Sequence, residues 1–118
     1  DSVRQLEMQI DSEEYSLVVA GEKLPQIERL KLNESKVAMI RDLGTGWKNL
    51  RVLWLSRCGL EDIHGMSALP NLRELYISFN DVSDVTPIAD LEFIEVVDLE
   101  SNRVEDMDSV EYLAMCSP

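Results

Sequence analysis

Three short patterns in this 118-residue chain bring together residue types that could catalyse a reaction, bind a metal or accept a sugar. Cys58 and His64 lie six residues apart and could serve as a thiol nucleophile and its base. The segment from Asp98 to Asn102 places oxygen ligands at alternate positions, as the beginning of a calcium loop does. Asn33 begins an Asn-x-Ser sequence of the kind that is glycosylated in secreted proteins. Each pattern needs further groups before its chemistry can operate.

Those further groups are missing from the sequence. A calcium loop requires glycine where Arg103 stands and a bidentate glutamate where Ser109 stands. His64 is the single histidine, it is expected in an exposed turn, and no partner that completes a catalytic set can be assigned to it. Asn33 is accompanied by no sign of secretion. The sequence therefore predicts no catalytic residue, no metal site and no cofactor, and the chain is not expected to be an enzyme.

The charge of the chain excludes another class of function. The sequence holds 23 acidic and 11 basic residues, a formal net charge of −12 at pH 7. A nucleic-acid binder needs clustered basic side chains to contact phosphates, so no nucleic-acid partner is expected. No apolar run approaches the ~18 residues that span a bilayer, and two cysteines outside any CxxC pair indicate a reducing compartment. These features predict a cytoplasmic domain without a membrane partner.

An internal repeat of 22 or 23 residues organises the chain and must position any functional side chain. The units begin at Ile27, Leu50, Leu72 and Ile94. Their fourth and sixth positions are aliphatic throughout, which predicts a short strand at positions three to five, followed by a turn and a helical or 3₁₀ return segment. Thr86 before Pro87 predicts a hydroxyl cap at the start of one return segment. The ninth position, which can bond the turning backbone, is occupied by Ser35, Cys58, Asn80 and Asn102.

These columns resemble the leucine-rich repeat family in its short 22-residue form. The resemblance implies an α/β solenoid with a curved parallel sheet on the concave face and short helical or 3₁₀ segments on the convex face. One unit cannot bury its own apolar side, so stacked units build a shared core. We expect a single monomeric domain over residues 1–118, cut from a longer chain. Its parts are a degenerate N-terminal repeat or cap at 1–23 and repeats at about 27–49, 50–71, 72–93 and 94–115.

The concave face is the expected binding surface, and it is formed by the strand positions that do not point inward together with the eighth position of each unit. Aromatic residues and arginine are enriched in interface hot spots, and they cluster here in the two central units. The candidate protein-binding residues are Arg29, Lys31, Val52, Trp54, Arg57, Glu74, Tyr76, Phe79, Asp98 and Glu100. Two other interpretations stay open: a segment outside this chain covers the patch, or Trp54 and Tyr76 stack only to stabilise the sheet.

Charge is distributed unevenly along the solenoid. Residues 23–57 hold eight bases and three acids, whereas residues 81–118 hold eleven acids and one base, Arg103. The acidic end therefore carries −10 of the total charge. This asymmetry either orients a protein partner on the concave face or serves as a solvated flank that aids solubility.

Six stretches carry a more specific resemblance than the repeat leucines do: 41–45 (RDLGT), 52–55 (VLWL), 57–60 (RCGL), 74–76 (ELY), 97–100 (VDLE) and 104–106 (VED). Through them, residues 24–118 resemble a family of ciliary leucine-rich-repeat proteins implicated in the assembly or transport of outer dynein arms. The resemblance implies a non-enzymatic adaptor in the cytoplasm and in the cilium or flagellum. Its protein partners would be outer-arm dynein or components of intraflagellar transport.

Two other functions stay open at this point. The 22-residue subclass allows a regulatory subunit that binds a phosphatase or another folded protein. A spliceosomal-type repeat protein is also conceivable, although a net charge of −12 disfavours direct contact with RNA.

Overall fold

The computed structural model describes residues 3–104, which form one parallel sheet whose strand order follows the chain. Its strands are β1 (Gln5–Glu7), β2 (Arg29–Lys31), β3 (Val52–Trp54), β4 (Glu74–Tyr76) and β5 (Val96–Asp98). The last four strands occupy positions three to five of their repeats, as the spacing predicts. The return segments are the helix α1 (Leu17–Lys23) and the 3₁₀ helices Ile40–Leu43, Met66–Ala68 and Thr86–Asp90. The predicted α/β solenoid is confirmed.

Equivalent repeat positions lie side by side across the whole sheet. Position three is formed by Gln5, Arg29, Val52, Glu74 and Val96, and position five by Glu7, Lys31, Trp54, Tyr76 and Asp98. Neighbouring strands are about 4.8 Å apart, so side chains at one position form ladders that run across the strands. This register decides which side chains meet on the concave face.

The core is a stack of the inward-facing aliphatic columns. Leu30, Leu53 and Leu75, at position four of β2, β3 and β4, are fully buried. Leu6, the corresponding residue of β1, is only half-buried because β1 is the edge strand and has a neighbour on one side. Burial of these columns removes the apolar surface that each repeat alone would expose to water.

Polar side chains at position nine hold the turns that follow the strands. Asn80 accepts hydrogen bonds at Oδ1 from the backbone N–H groups of Cys58 (2.9 Å) and Leu60 (3.1 Å). Its amide nitrogen donates to the carbonyls of Leu55 and Ile77, both at 2.9 Å. Asn102 and Ser35 accept hydrogen bonds from the backbone N–H groups of Val82 and Ile10, and Cys58 donates to the carbonyl of Leu32. Each of these partners lies in the preceding unit. The predicted bonding of the turns by position nine is confirmed, and these buried polar groups are satisfied.

The helix α1 fills the first return segment. It begins after Ser16, whose hydroxyl accepts a hydrogen bond from the backbone N–H of Val19 at 3.2 Å. Leu17, Ala20 and Gly21 recur at helical spacing and are its buried residues. The helix therefore packs one narrow side against the first repeats.

Trp47 joins α1 to the repeat that follows it. Its indole is fully buried, and Nε1 donates to the carbonyl oxygens of Leu43 (2.9 Å) and Leu17 (3.2 Å). Position 46, directly before Trp47, requires glycine, because a Cβ there would lie 2.6 Å from the backbone nitrogen of Glu22. The N-terminal helix and the loop at 44–47 thus touch backbone to backbone.

The predicted Thr86 cap is wrong. The residue that precedes this 3₁₀ helix is Val85, which makes no side-chain cap hydrogen bond. Asp84 lies two residues before Thr86, and its Oδ1 accepts from both the backbone N–H (3.0 Å) and the hydroxyl (2.7 Å) of Thr86. The hydroxyl is consequently a donor to Asp84 and is not the acceptor of a cap. Pro87 does lie in the first turn.

Part of the expected repeat at 94–115 lies outside the described residues, since the structure describes this unit only as far as residue 104. Over residues 3–104, no helix is both long enough and apolar enough to cross a bilayer.

Candidate protein-binding face

The centre of the concave face is a pair of stacked aromatic rings. Trp54 of β3 and Tyr76 of β4 are register partners, with ring centroids 5.6 Å apart and ring planes inclined by 12°. This distance lies within the range of attractive aromatic pairs. Both side chains are partly exposed. The stack therefore stabilises the sheet as a cross-strand pair and also presents ring surface to solvent.

Opposite charges flank the two rings along position five. On β2, the Lys31 ammonium lies 5.9 Å from the centroid of the Trp54 ring and 4.0 Å from the carboxylate of Glu7. On β5, Asp98 is the register partner of Tyr76. Four consecutive strands thus present a cation, two rings and a carboxylate in that order.

The acidic side of the stack is linked to Tyr76. The Tyr76 hydroxyl donates to Oε1 of Glu74 at 2.5 Å, and this hydrogen bond raises the pKa of Tyr76 above its usual value. Asp98 accepts at Oδ1 from the backbone N–H of Glu100 at 3.1 Å. Within the part of the chain that the structure describes, no basic side chain forms an ion pair with Glu74, Asp98 or Glu100.

The eighth position of each repeat adds a second ladder beside the stack. Glu34, Arg57, Phe79 and Ser101 all adopt left-handed backbone conformations, with φ between 57° and 62°. The backbone N–H groups of Glu34, Arg57 and Phe79 donate to the carbonyls of Ser56, Ser78 and Glu100 in the next repeat. These bonds offset the cost of a left-handed residue other than glycine, about 1 kcal/mol or more each. The Arg57 guanidinium lies 4.1 Å from the centroid of the Phe79 ring, whose residue is 43% exposed.

One candidate binding residue, Val52, is less exposed than the repeat register predicts. Val52 is only 7% exposed, so the prediction that it contributes open surface is wrong. Its register partners are Arg29 and Glu74, whose side chains are longer than the branched valine side chain between them. The other candidates are exposed or half-buried on the concave face.

Repeat spacing also missed two aromatic residues with exposed surface. Phe93 is exposed, with the Arg73 guanidinium 5.9 Å from its ring centroid, and Tyr15 precedes α1. Neither residue falls at positions three, five or eight of a repeat. They therefore lie outside the concave face as the register defines it.

A family model described as Leucine Rich repeats (2 copies) matches residues 48–90. That span contains β3 and β4, which carry the aromatic stack, and the position-nine residues Cys58 and Asn80. The chain belongs to the leucine-rich repeat family.

Several curated proteins are similar to this leucine-rich repeat chain. Human Leucine-rich repeat-containing protein 56 is 52% identical over 114 residues, which cover 97% of this chain and 21% of that protein. A Trypanosoma brucei brucei homolog of the same name is 43% identical over 88 residues, or 73% of this chain and 12% of that protein. An Arabidopsis thaliana protein, Protein phosphatase 1 regulatory inhibitor subunit PPP1R7 homolog, is 33% identical over 89 residues, or 75% and 27%. The chain spans about a fifth of the length of its mammalian relatives.

The leucine-rich repeat fold separates the residues of two of the three chemical patterns. Cys58 is buried at position nine with Sγ 3.1 Å from the carbonyl of Leu32, whereas His64 lies in an exposed turn, with Nδ1 2.7 Å from Oδ1 of Asp62. Hydrogen bonds from the His64 amide and ring hold the pKa of Asp62 below its usual range. Asn102 joins the position-nine ladder and does not face Asp98. Among residues 3–104, no cluster of three or more His, Cys, Asp or Glu side chains could hold a metal ion.

The burial of Cys58 predicts a protected thiol. Desolvation raises the pKa of Cys58, so little thiolate forms at neutral pH, and the sulfur is covered by the adjacent repeat. In a Cys116→Ser variant, which retains this cysteine alone, we expect an aromatic disulfide reagent to react at least about 100-fold more slowly with the native domain than with the urea-unfolded chain. Equal rates in native buffer and in urea would contradict the buried position of this thiol in the ladder.

Proposed function

We propose that this domain is a non-enzymatic adaptor that binds a protein partner through its concave face and acts in the assembly or intraflagellar transport of outer-arm dynein. Leucine-rich repeat domains are protein-interaction modules, and the Trp54–Tyr76 stack is the observation that carries the proposal for this one. Both rings lie at the centre of a sheet face and keep part of their surface open. Central aromatic residues of this kind dominate the binding energy of many interfaces.

The surroundings of the stack support a specific partner. Lys31 and Arg29 lie on one side, and Glu74, Asp98 and Glu100 lie on the other. Opposite charges on the two sides of an apolar centre favour one orientation of a bound protein and disfavour the reverse. The rings supply contact area, while the charges select the partner.

The dynein part of the proposal rests on the resemblance of residues 24–118 to ciliary leucine-rich-repeat proteins. The stretches 52–55 and 74–76, which carry part of that resemblance, include the two stacked rings. We accordingly propose that the domain works as a monomer in the cytoplasm and in the cilium or flagellum.

A second candidate function is phosphatase regulation. The Arabidopsis thaliana relative named as a protein phosphatase 1 regulatory inhibitor subunit homolog is 33% identical over 75% of this chain. That relation favours a folded phosphatase as the alternative occupant of the same concave face. The two functions predict different captured proteins.

Affinity capture from ciliated cells tests the proposal. The 118-residue chain should retain outer-arm dynein or intraflagellar transport components, and the Trp54→Ala/Tyr76→Ala double variant should retain them at least about tenfold less, because hot-spot rings are worth about 2 kcal/mol or more. The variant should remain folded, since an aromatic pair contributes about 0.5–1.5 kcal/mol beyond its buried area. Circular dichroism melting checks this.

A matched control removes two aromatic residues outside the concave face. Tyr15→Ala/Phe93→Ala deletes the same number of exposed rings and should capture the partner as well as the wild type does. Equal loss in both double variants, or no loss in the first, would refute the concave-face assignment. Capture of a phosphatase catalytic subunit in place of ciliary proteins would support the second candidate and contradict the first.

A further inference from the structure

Tyr76 differs from Trp54, Phe79 and Phe93, because each of those three rings has a cation over it. The rings of Trp54, Phe79 and Phe93 are approached by Lys31, Arg57 and Arg73, at 5.9, 4.1 and 5.9 Å from the ring centroids. Tyr76 stacks against Trp54 on its β3 side. On its β5 side, no cation from residues 3–104 lies over the ring. We call this side, which has neither a stacked ring nor a cation from the described residues over it, the open face of Tyr76.

Carboxylates border the open face of Tyr76. Asp98 is the register partner of Tyr76 on β5, and Glu74 accepts the hydrogen bond of the Tyr76 hydroxyl. Neither carboxylate has an ion-pair partner in the described range 3–104. A ring face attracts cations through its quadrupole, and adjacent carboxylates strengthen that attraction.

We infer that the open face of Tyr76, together with Asp98 and Glu74, binds the guanidinium group of an arginine from the protein partner. This inference rests on the proposed function of the concave face and names the chemistry of its partner. Arginine fits better than lysine because a planar guanidinium can stack on the ring while its N–H groups contact a carboxylate. The neighbouring Arg57–Phe79 pair places a guanidinium 4.1 Å from a ring centroid within this chain.

Lys31, towards the other end of the ladder formed by the position-five side chains, sets a second requirement for the partner. Lys31 lies three strands away from Asp98, a separation of about 14 Å at the usual strand spacing. An extended chain covers that distance in about four residues. The partner segment should therefore cross the strands with an acidic residue near Lys31 and an arginine about four residues away near Asp98.

A short synthetic peptide tests the arginine site directly. The probe is the acetylated amide Glu-Ser-Gly-Ser-Arg, and its control carries citrulline, the uncharged isostere of arginine, in the last position. In NMR titrations of the 118-residue chain, we expect saturable shifts at the amides of Tyr76 and Asp98 with the arginine peptide. The citrulline peptide should bind at least about fivefold more weakly.

Two protein variants complete the test. Asp98→Asn should weaken the arginine peptide at least about fivefold and change the citrulline peptide little. Asp90→Asn removes the same charge from an exposed residue of a return segment and should bind the arginine peptide within about twofold of wild type. Melting curves check that both variants are folded.

Three results would overturn the inference: no saturable shift at Tyr76 and Asp98 up to about 10 mM peptide, equal affinity for the citrulline peptide, or unchanged affinity in Asp98→Asn. If any of these occurs while Trp54→Ala/Tyr76→Ala still loses the captured partner, the concave face binds through other chemistry and the proposed function stands. If the arginine peptide binds as expected and partner capture survives the double substitution, the proposed function fails and the arginine site remains.

Discussion

Replacing Trp47 with alanine should lower the free energy of unfolding by about 4 kcal/mol, a large part of the 5–15 kcal/mol typical of whole domains. The substitution removes a fully buried indole and leaves a cavity between α1 and the repeat that follows it. It also deprives the carbonyls of Leu43 and Leu17 of their shared donor. Few single substitutions in this domain remove so much packing together with a buried hydrogen bond.

Urea unfolding followed by circular dichroism measures this loss. Trp47→Phe keeps most of the apolar volume and loses the N–H, so it should be intermediate, at about 1–3 kcal/mol. Trp54→Ala is the matched control, because that tryptophan is partly exposed and should cost less than Trp47→Ala, about 1–3 kcal/mol from lost apolar burial and the lost aromatic pair. A Trp47→Ala protein that unfolds at the wild-type urea concentration would show that the indole does not hold α1 in place.

Replacing Asn80 with alanine should cost about 3–5 kcal/mol through a different mechanism. The amide of Asn80 is the buried acceptor for two backbone N–H groups and donates to the carbonyls of Leu55 and Ile77. Alanine leaves the two N–H groups and the Leu55 carbonyl without these partners, whereas the Ile77 carbonyl still accepts from the Asn102 amide at 2.8 Å. Each orphaned donor in this buried site costs about 1–3 kcal/mol. The loss should exceed that of an average polar substitution severalfold.

Asn33→Ala provides the matched comparison for Asn80→Ala. The Asn33 side chain accepts one hydrogen bond, from the backbone N–H of Ser56 at 2.9 Å, at a half-buried position, so its removal should cost about 1 kcal/mol. Hydrogen exchange should locate the effect, with protection lost at the amides of Cys58 and Leu60 in the Asn80 variant. Equal stability losses for the two asparagines would argue against the ladder as a source of stability.

The repeat period predicted the sheet well because one spacing determines both burial and pairing. Aliphatic residues at positions four and six mark the inward side of each strand, so the strands at 29–31, 52–54, 74–76 and 96–98 follow from the columns alone. The register follows as well, because any other pairing would move inward residues out of the shared core. The sequence therefore predicted that Trp54 and Tyr76 lie side by side on neighbouring strands.

Features that depend on contacts outside the columns could not be predicted in this way. Trp47 belongs to no repeated position, and its contact with the carbonyl of Leu17 spans 30 residues. The burial of Val52, whose register partners are Arg29 and Glu74, does not follow from its position in the repeat. The same limit applies to the Thr86 cap, which failed because Asp84 competes for the hydroxyl. In none of these cases does the repeat period alone decide the outcome.

The alternation of side chains along each strand also has an evolutionary consequence. Leu53 and Leu75 point into the core, whereas Trp54 and Tyr76, the residues next to them, point away from it. Mutations at the exposed outward positions therefore cost the fold less than mutations at the inward positions, so they can accumulate one strand at a time. A gene encoding this solenoid can drift to a new partner while its protein stays stable throughout.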